Sequence, residues 1–118
     1  MKRIIIAGGR DFNNADMVEA CLHMHTKGLQ PGDVQIVSGA ARGADSIGME
    51  IAKKYETNLA IFPAQWNTHG KSAGYKRNVL MAENADMLLA FWDGNSRGTK
   101  HMIDIAKQKG LVVEVFNY

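Results

Sequence analysis

Short runs of apolar and β-branched residues recur along the chain, and turn-forming residues separate them. Such runs, when Gly, Asn, Asp or Pro bound them, are typical of strands buried inside a sheet. The sequence therefore predicts five strands, over residues 3–7, 34–38, 58–62, 86–92 and 111–116.

The segments between these runs carry apolar residues at helical spacing. They predict four helices: one between the capping residue Asn14 and Gly28, one around 44–52, one over 72–83, and one around 99–106. Alternating strands and helices favour a parallel sheet covered on both faces. We therefore expect one three-layer, Rossmann-like α/β domain over residues 1–118, with a mainly parallel sheet of about five strands. The stretch 63–71 has neither pattern, and its length suggests a functional loop.

Composition narrows the classes of protein only slightly. The 118 residues are 46% hydrophobic and 22% charged, with a formal net charge of +2, which is ordinary for a globular domain. That charge does not by itself indicate a nucleic-acid partner. Cys21 is the single cysteine, so no internal disulfide can form. No apolar stretch approaches the roughly 18 residues of a membrane-spanning helix, and we expect a cytoplasmic protein with no membrane partner.

Ligands of open parallel α/β sheets bind beyond the carboxyl ends of the strands, so the loops that follow the strands are the candidate sites. In the first such loop, Gly8 and Gly9 let the backbone approach a ligand, and Arg10 could meet a phosphate. Asp11 is a candidate ribose-binding or catalytic carboxylate. The alternative is a tight turn with a solvated ion pair.

The second loop joins a strand to a helix through small residues. Ser38, Gly39 and Gly43 leave backbone N–H groups free at the helix start, where an anion is favoured. Arg42 adds a full positive charge, and Asp45 is a second candidate carboxylate. Alternatively, Asp45 caps the helix and Arg42 is solvated. The strand-to-helix context favours phosphate binding.

The third loop carries an aromatic residue and several cations. Trp66 either stacks on a base or covers the edge of the core. Lys71 and Arg77, with Asn78 beside it, either face a pocket or lie on a solvated helix face. His69 has no partner residue in the sequence, and we predict neither a metal site nor a resident cofactor.

The fourth loop is a second Gly-rich turn that opens a helix. Gly94, Gly98 and Thr99 could cradle a phosphate with backbone N–H groups and a hydroxyl, beside Asp93 and Ser96. It is not a P-loop, because the Gly-Lys-Ser/Thr ending is missing. We expect the four loops to converge on one pocket.

Taken together, the loops resemble those of a known superfamily. GGRDF, SGAARGAD, PAQW, GKSAGYKRNVLM and ADMLLAFWDGNSRGT follow in an order that resembles the SLOG superfamily, and its YspA-like branch of small bacterial and phage proteins in particular. The superfamily includes the Lonely Guy phosphoribohydrolases, the single-stranded-DNA-binding protein DprA, and sensor domains for NAD-derived nucleotides. The resemblance implies a Rossmann-like nucleotide-binding fold.

The resemblance to Lonely Guy enzymes breaks at one residue. Residues 77–81 resemble their Arg-x-x-x-Met helix, and 93–99 resemble the start of their Gly-Gly-x-Gly-Thr-x-x-Glu loop. After Thr99, however, come Lys100, His101 and Met102, and the acidic residue is absent. Losing a carboxylate from a reaction that builds positive charge at a ribose carbon costs much of the rate.

The sequence therefore favours a binding module over an enzyme. We expect a sensor or carrier for a small nucleotide-like molecule that bears phosphate, either ADP-ribose-like or a nucleoside monophosphate. The first alternative is a nucleotide hydrolase resembling Lonely Guy. The second is a single-stranded nucleic-acid binder like DprA. Residues 38–43 of this chain resemble a loop of DprA, although the modest net charge disfavours nucleic-acid binding. The superfamily also implies a homodimer or higher oligomer, paired through the helix that carries Tyr75, Val79 and Leu80.

Overall fold

The computed structural model describes all residues from Met1 to Tyr118 and contains one five-stranded sheet. Every strand pair is parallel, which confirms the predicted parallel Rossmann-like α/β architecture. The order across the sheet is β3-β2-β1-β4-β5. The strands are β1 (Lys2–Gly8), β2 (Val34–Ser38), β3 (Asn58–Ile61), β4 (Met87–Trp92) and β5 (Val112–Asn117).

Helices connect the strands and cover both faces of the sheet. They are α1 (Ala15–His25), α2 (Ala44–Tyr55), the short α3 (Trp66–His69), α4 (Ala73–Glu83) and α5 (Arg97–Gln108), with short 3-10 turns at Pro31–Asp33 and Gly70–Ser72. None of these helices has both the length and the apolar character needed to cross a membrane.

The core forms two layers because successive side chains of β1 point to opposite faces of the sheet. Ile4 and Ile6 pack with α1 and α2 in one cluster, which also contains Val18 and Ile51. Ile5 packs with α4 and α5 in the other cluster. All three isoleucines are completely buried. The central strand therefore holds the two helical layers in fixed positions on either side of the sheet.

The helix bounds differ from the sequence prediction in two places. The first helix ends at His25, before Gly28, with Thr26 as the C-cap residue, whose N–H donates to the carbonyl of His23 and whose hydroxyl donates to the carbonyl of Leu22 (2.7 Å). Gly28 instead lies in the following turn, at φ +79°. The predicted irregular stretch 63–71 contains the single helical turn of α3, which continues into a 3-10 turn before α4.

The strand order creates a crevice beside β1. After β1 the chain runs outward to β2 and β3, and it then returns to β4 on the other side of β1. The loops after β1 and β4 therefore leave the sheet in different directions. Such a switch point at the carboxyl edge is where open α/β sheets bind ligands.

Candidate functional site

A cavity of about 580 Å³ lies at this carboxyl edge. Its walls come from all of the strand-following loops singled out in the sequence, together with one face of α4 and the first turn of α5. The volume falls within the range of about 300–1,000 Å³ that is usual for small-molecule sites. Most of the predicted site residues line it: Gly8, Gly9, Arg10, Asp11, Asp45, Trp66, Lys71, Arg77, Asn78, Asp93, Ser96, Gly98 and Thr99.

The loop after β1 is tied closely to its neighbours. The N–H of Gly9 donates to the carbonyl of Phe91 on β4 (3.2 Å). A side chain at Gly9 would overlap the hydroxyl of Tyr118, and one at Gly8 would overlap the Phe91 carbonyl. The Tyr118 hydroxyl donates to Asp11 (2.9 Å), and burial together with that carboxylate raises the pKa of Tyr118 to about 12. Arg10 is exposed beside these groups and lines the cavity.

Some residues of the loop after β2 hold the cavity wall in position but do not line the cavity themselves. The buried Ser38 hydroxyl donates to the carbonyl of Asp45 (3.1 Å) and accepts from the N–H of Ala40 (3.1 Å). Ala40 has φ +61°, a conformation that non-glycine residues rarely adopt and that is often found at functional sites. Gly43, at φ +79°, approaches the carbonyl of Gly9 so closely that a side chain would overlap it. Ser38 and Gly43 therefore shape the loop.

Arg42 does not lie where the sequence analysis expected it. It is exposed, and Ala41 rather than Arg42 lines the cavity. Arg42 precedes the sharp turn at Gly43, which carries the chain directly into α2. Gly94 is likewise outside the lining, in a turn at φ +86°. The cations that do line the cavity are Arg10, Lys71 and Arg77.

Asp45 is a buried carboxyl group in the cavity wall. It is in the first turn of α2, but Gly43 holds the N-cap position, so Asp45 is not the helix cap. Its residue is 5% exposed. Burial raises the pKa of Asp45 to about 6, although the charge of Arg77 and the N–H groups of Ala41 and Gly39 oppose that rise. This carboxyl group therefore titrates close to neutral pH.

Arg77 reaches from α4 across to the loop after β2. Its Nη1 donates to the carbonyl of Gly39 (2.7 Å), and its Nε donates to Asn78 Oδ1 (3.0 Å). Burial lowers the pKa of Arg77, Asp45 raises it, and the like charge of Arg10 lowers it. Two cations thus lie near each other in one cavity, an arrangement that a bound anion would stabilise.

The first turn of α5 presents backbone donors to the same cavity. Ser96 caps this helix, with its Oγ accepting from the N–H of Thr99 (3.4 Å) and its carbonyl accepting from Lys100 (3.1 Å). The N–H group of Gly98, which lines the cavity, precedes the first intrahelical bond and is available to an anion. Asp93 supports this loop, since its Oδ1 accepts from the N–H groups of Asn95 and Ser96 (2.8 Å each). These bonds lower the pKa of Asp93.

Two aromatic side chains line the more open part of the cavity. Trp66, at the start of α3, is 53% exposed, and Tyr75 on α4 is 45% exposed. Trp66 therefore does not cover the edge of the core, which was one of the two alternatives from sequence. Leu80, on the same helix as Tyr75, is also exposed. The expected homo-oligomer through this helix stays a prediction.

Four further residues that the loop sequences did not indicate also line the cavity. Gly74, Tyr75 and Met81 on α4 line the cavity, as does Met102 on α5. Gly74 and Met81 lie three residues before and four after Arg77, so helical spacing alone was a sufficient signal for them. Met102 stands where the Lonely Guy loop has its Glu, and it is buried in the second core cluster. The cavity thus has a thioether at the position where that motif supplies a carboxylate.

The lining combines cationic, hydrogen-bonding and aromatic groups and has no cluster of metal-ligating side chains. No three His, Cys, Asp or Glu side chains are arranged to hold a metal ion. Instead, cations, free backbone N–H groups, carboxylates and aromatic rings surround one opening. That combination can hold phosphate, sugar hydroxyls and a planar base.

Comparison with known proteins identifies the family of this chain. Residues 2–69 match the YspA, cpYpsA-related SLOG family. The Gene 61 protein of Mycobacterium phage D29 is 34% identical to this chain over 121 residues, which cover 96% of this chain and 94% of that protein. The family match includes the loops after β1 and β2, and the relative spans all four loops. The chain therefore belongs to the YspA, cpYpsA-related SLOG family.

Proposed function

We propose that this chain binds a phosphate-bearing nucleotide or nucleotide derivative in the cavity, as a sensor or carrier. The observation that carries the proposal is the meeting of the α5 N-terminus with Arg10, Lys71 and Arg77 around one opening. Helix N-termini favour anions, and charge-assisted hydrogen bonds to phosphate contribute about 1.5–3 kcal/mol each. Membership of a SLOG family is consistent with a nucleotide-related role.

The remaining lining residues fit the other parts of a nucleotide. Trp66 and Tyr75 provide faces on which a base can stack, a contact worth about 1–3 kcal/mol. Asp11 and Asp45 provide carboxylates that can accept hydrogen bonds from ribose hydroxyls. A ligand with a base, a ribose and one or two phosphates would use all three groups of residues. Both an ADP-ribose-like molecule and a nucleoside monophosphate meet this description.

The experiment that tests this proposal is a calorimetric titration with AMP, ADP-ribose and adenosine. We expect AMP or ADP-ribose to bind at least about tenfold more tightly than adenosine, because each phosphate contact adds more than about 1.4 kcal/mol. Mass spectrometry of small molecules released on denaturation would identify a co-purified ligand. Equal affinity for adenosine, or no binding of any nucleotide, would contradict the proposal.

A hydrolase is the second candidate, and the Asp45 carboxyl group is the observation that favours it. Its pKa of about 6 suits a group that accepts and returns a proton near neutral pH. In such a reaction water adds to the ribose C1′, the C1′–N bond breaks, and the base leaves with a proton. Incubation with AMP, followed by chromatography for free adenine, tests this activity. Met102 in place of the Lonely Guy glutamate makes the hydrolase the weaker candidate.

Single-stranded nucleic acid is a third ligand class and is not favoured. The cavity cations converge on one opening rather than forming a stripe along the surface. A nucleic-acid binder would lose affinity steeply as salt increases. Titration of an oligonucleotide at two salt concentrations separates that case from a single-phosphate site.

A further inference from the structure

The amide of Asn78 is buried between α4 and α5, and both of its polar atoms are occupied. Its Oδ1 accepts from Arg77 Nε (3.0 Å), while its Nδ2 lies 3.3 Å from the carbonyl of Gly98 and 3.1 Å from His101 Nδ1. The residue is 5% exposed. Asn78 therefore joins Arg77 to the first turn of α5. These are two of the groups that bind the phosphate in the proposed function.

The donors and acceptors around this amide fix the protonation of His101. Arginine Nε can only donate, so the atom that faces it must be the amide oxygen. The amide nitrogen then faces Gly98 and His101, and it can only donate. His101 Nδ1 must therefore accept, which requires a neutral imidazole with its proton on Nε2. Protonating Nδ1 would place two donors against each other.

The surroundings of His101 oppose its positive charge. From α4, the ring of Tyr75 meets the imidazole edge to face, with centroids 4.6 Å apart. Arg77, also on α4, contacts the Asn78 amide through its oxygen, whereas His101 contacts the amide nitrogen. From α5, Asp104 favours the charged form but is itself paired with Lys100 (2.8 Å). Burial is the larger effect, and the pKa of His101 is lowered.

We propose that Asn78 is a positioning residue that holds Arg77 toward the phosphate site only while His101 is neutral. The inference rests on the proposed function, because it concerns the affinity of the same cavity. When His101 gains a proton, the amide must turn or move away, and Arg77 Nε loses its acceptor. Phosphate affinity then falls, although His101 does not line the cavity.

A calorimetric pH series tests the effect on binding. The Asp45 carboxyl group titrates in the same pH range as His101. Its protonation should raise the phosphate affinity, because it removes a negative charge beside Arg77. The series is therefore run in an Asp45→Asn background, from about pH 8 to pH 5, where histidine titrates. The probe is the tighter binder of AMP and ADP-ribose. The matched control adds His101→Gln, which keeps an acceptor for Asn78 but cannot be protonated.

We expect the affinity to fall further toward pH 5 in the His101 protein than in its His101→Gln control, by up to about tenfold, which is the effect of losing one charge-assisted contact when His101 is fully protonated. The titration of the ligand itself is common to both proteins and cancels. Identical pH profiles would overturn the inference and leave the proposed function standing. Absence of nucleotide binding in the wild-type chain would instead overturn the proposed function, and this inference with it.

Nitrogen NMR of the histidine side chains tests the link without any ligand. We expect neutral His101 to carry its proton on Nε2. Asn78→Asp, which offers His101 Nδ1 an acceptor in place of a donor, should raise the pKa of His101 by at least about one unit, the typical effect of a contacting carboxylate. A wild-type tautomer protonated on Nδ1, or an unchanged pKa in Asn78→Asp, would overturn the positioning role of Asn78.

Discussion

Arg77 Nη1 donates a 2.7 Å hydrogen bond to the carbonyl oxygen of Gly39 and so joins α4 to the loop after β2. The missing side chain of Gly39 makes this contact possible. A Cβ atom there would overlap Nη1 and lie 2.8 Å from Asp45 Oδ2. Gly39 thus acts at the site without lining the cavity, by leaving room for a cation and a carboxyl group.

Replacement of this glycine should therefore weaken ligand binding while the chain still folds. We expect Gly39→Ala to weaken AMP or ADP-ribose binding by about tenfold or more, because the guanidinium must leave its position. The loss in unfolding free energy should stay at or below about 1–3 kcal/mol, since the overlapped atoms include the end of a flexible side chain. Calorimetry and thermal melts measure the two effects. Gly32→Ala is the control, because nothing lies within 4 Å of a Cβ atom at that position; equal binding by the two variants would contradict the account.

Arg42 and Arg77, two of the arginines that the sequence placed in candidate ligand-binding loops, should behave differently. Arg77 lines the cavity and Arg42 does not. We expect Arg77→Gln to weaken nucleotide binding by roughly 10- to 100-fold, while Arg42→Gln changes it by less than about twofold. The measurement is a titration of both variants with the same nucleotide. A larger loss in Arg42→Gln than in Arg77→Gln would contradict the position of Arg42 outside the site.

Asp45 should make stability depend on pH in an unusual direction. Its pKa is raised to about 6 in the folded chain, whereas an unfolded Asp titrates near 3.9. The folded state therefore binds the proton more tightly, and the stability associated with that proton is present below about pH 4 and is lost as pH rises through about 6. Relative to Asp45→Asn, the unfolding free energy of the wild type should fall by roughly 2–3 kcal/mol between those values.

Denaturant unfolding of both proteins across this pH range measures that difference. Comparison with the variant is necessary because Asp86, Asp93 and Asp104 have lowered pKa values, and they cost stability as pH falls. A constant difference between wild type and Asp45→Asn would show that the Asp45 carboxyl group is not desolvated in the wall.

Trp66 should contribute to binding only through the base. We expect Trp66→Leu to weaken AMP binding by roughly 5- to 100-fold, the range that corresponds to one lost stacking contact. Ribose 5-phosphate has no base, so its affinity should be the same in the variant and the wild type. Equal losses for both ligands would indicate that Trp66 supports the loop rather than a base.

The parallel sheet was predictable because its strands are continuous apolar runs separated by turn residues. The loop after β1 was predictable for a similar reason, since two adjacent glycines mark a close backbone approach. The exclusion of Arg42 was not predictable, because it depends on the sharp turn at Gly43 against the carbonyl of Gly9. The link from Asn78 to His101 was not predictable either. It joins residues 23 positions apart and exists only because α4 packs beside α5.

The most direct test of nucleotide binding in this cavity is an amide NMR titration of the chain with AMP and ADP-ribose. We expect the largest shifts on Gly9, Arg77, Gly98 and Thr99, which come from three different segments but line one cavity. Adenosine should shift these amides less at equal concentration. No saturable shift with either nucleotide at millimolar concentration, or shifts centred on residues of α1 such as Leu22 and His23, would contradict nucleotide binding in this cavity.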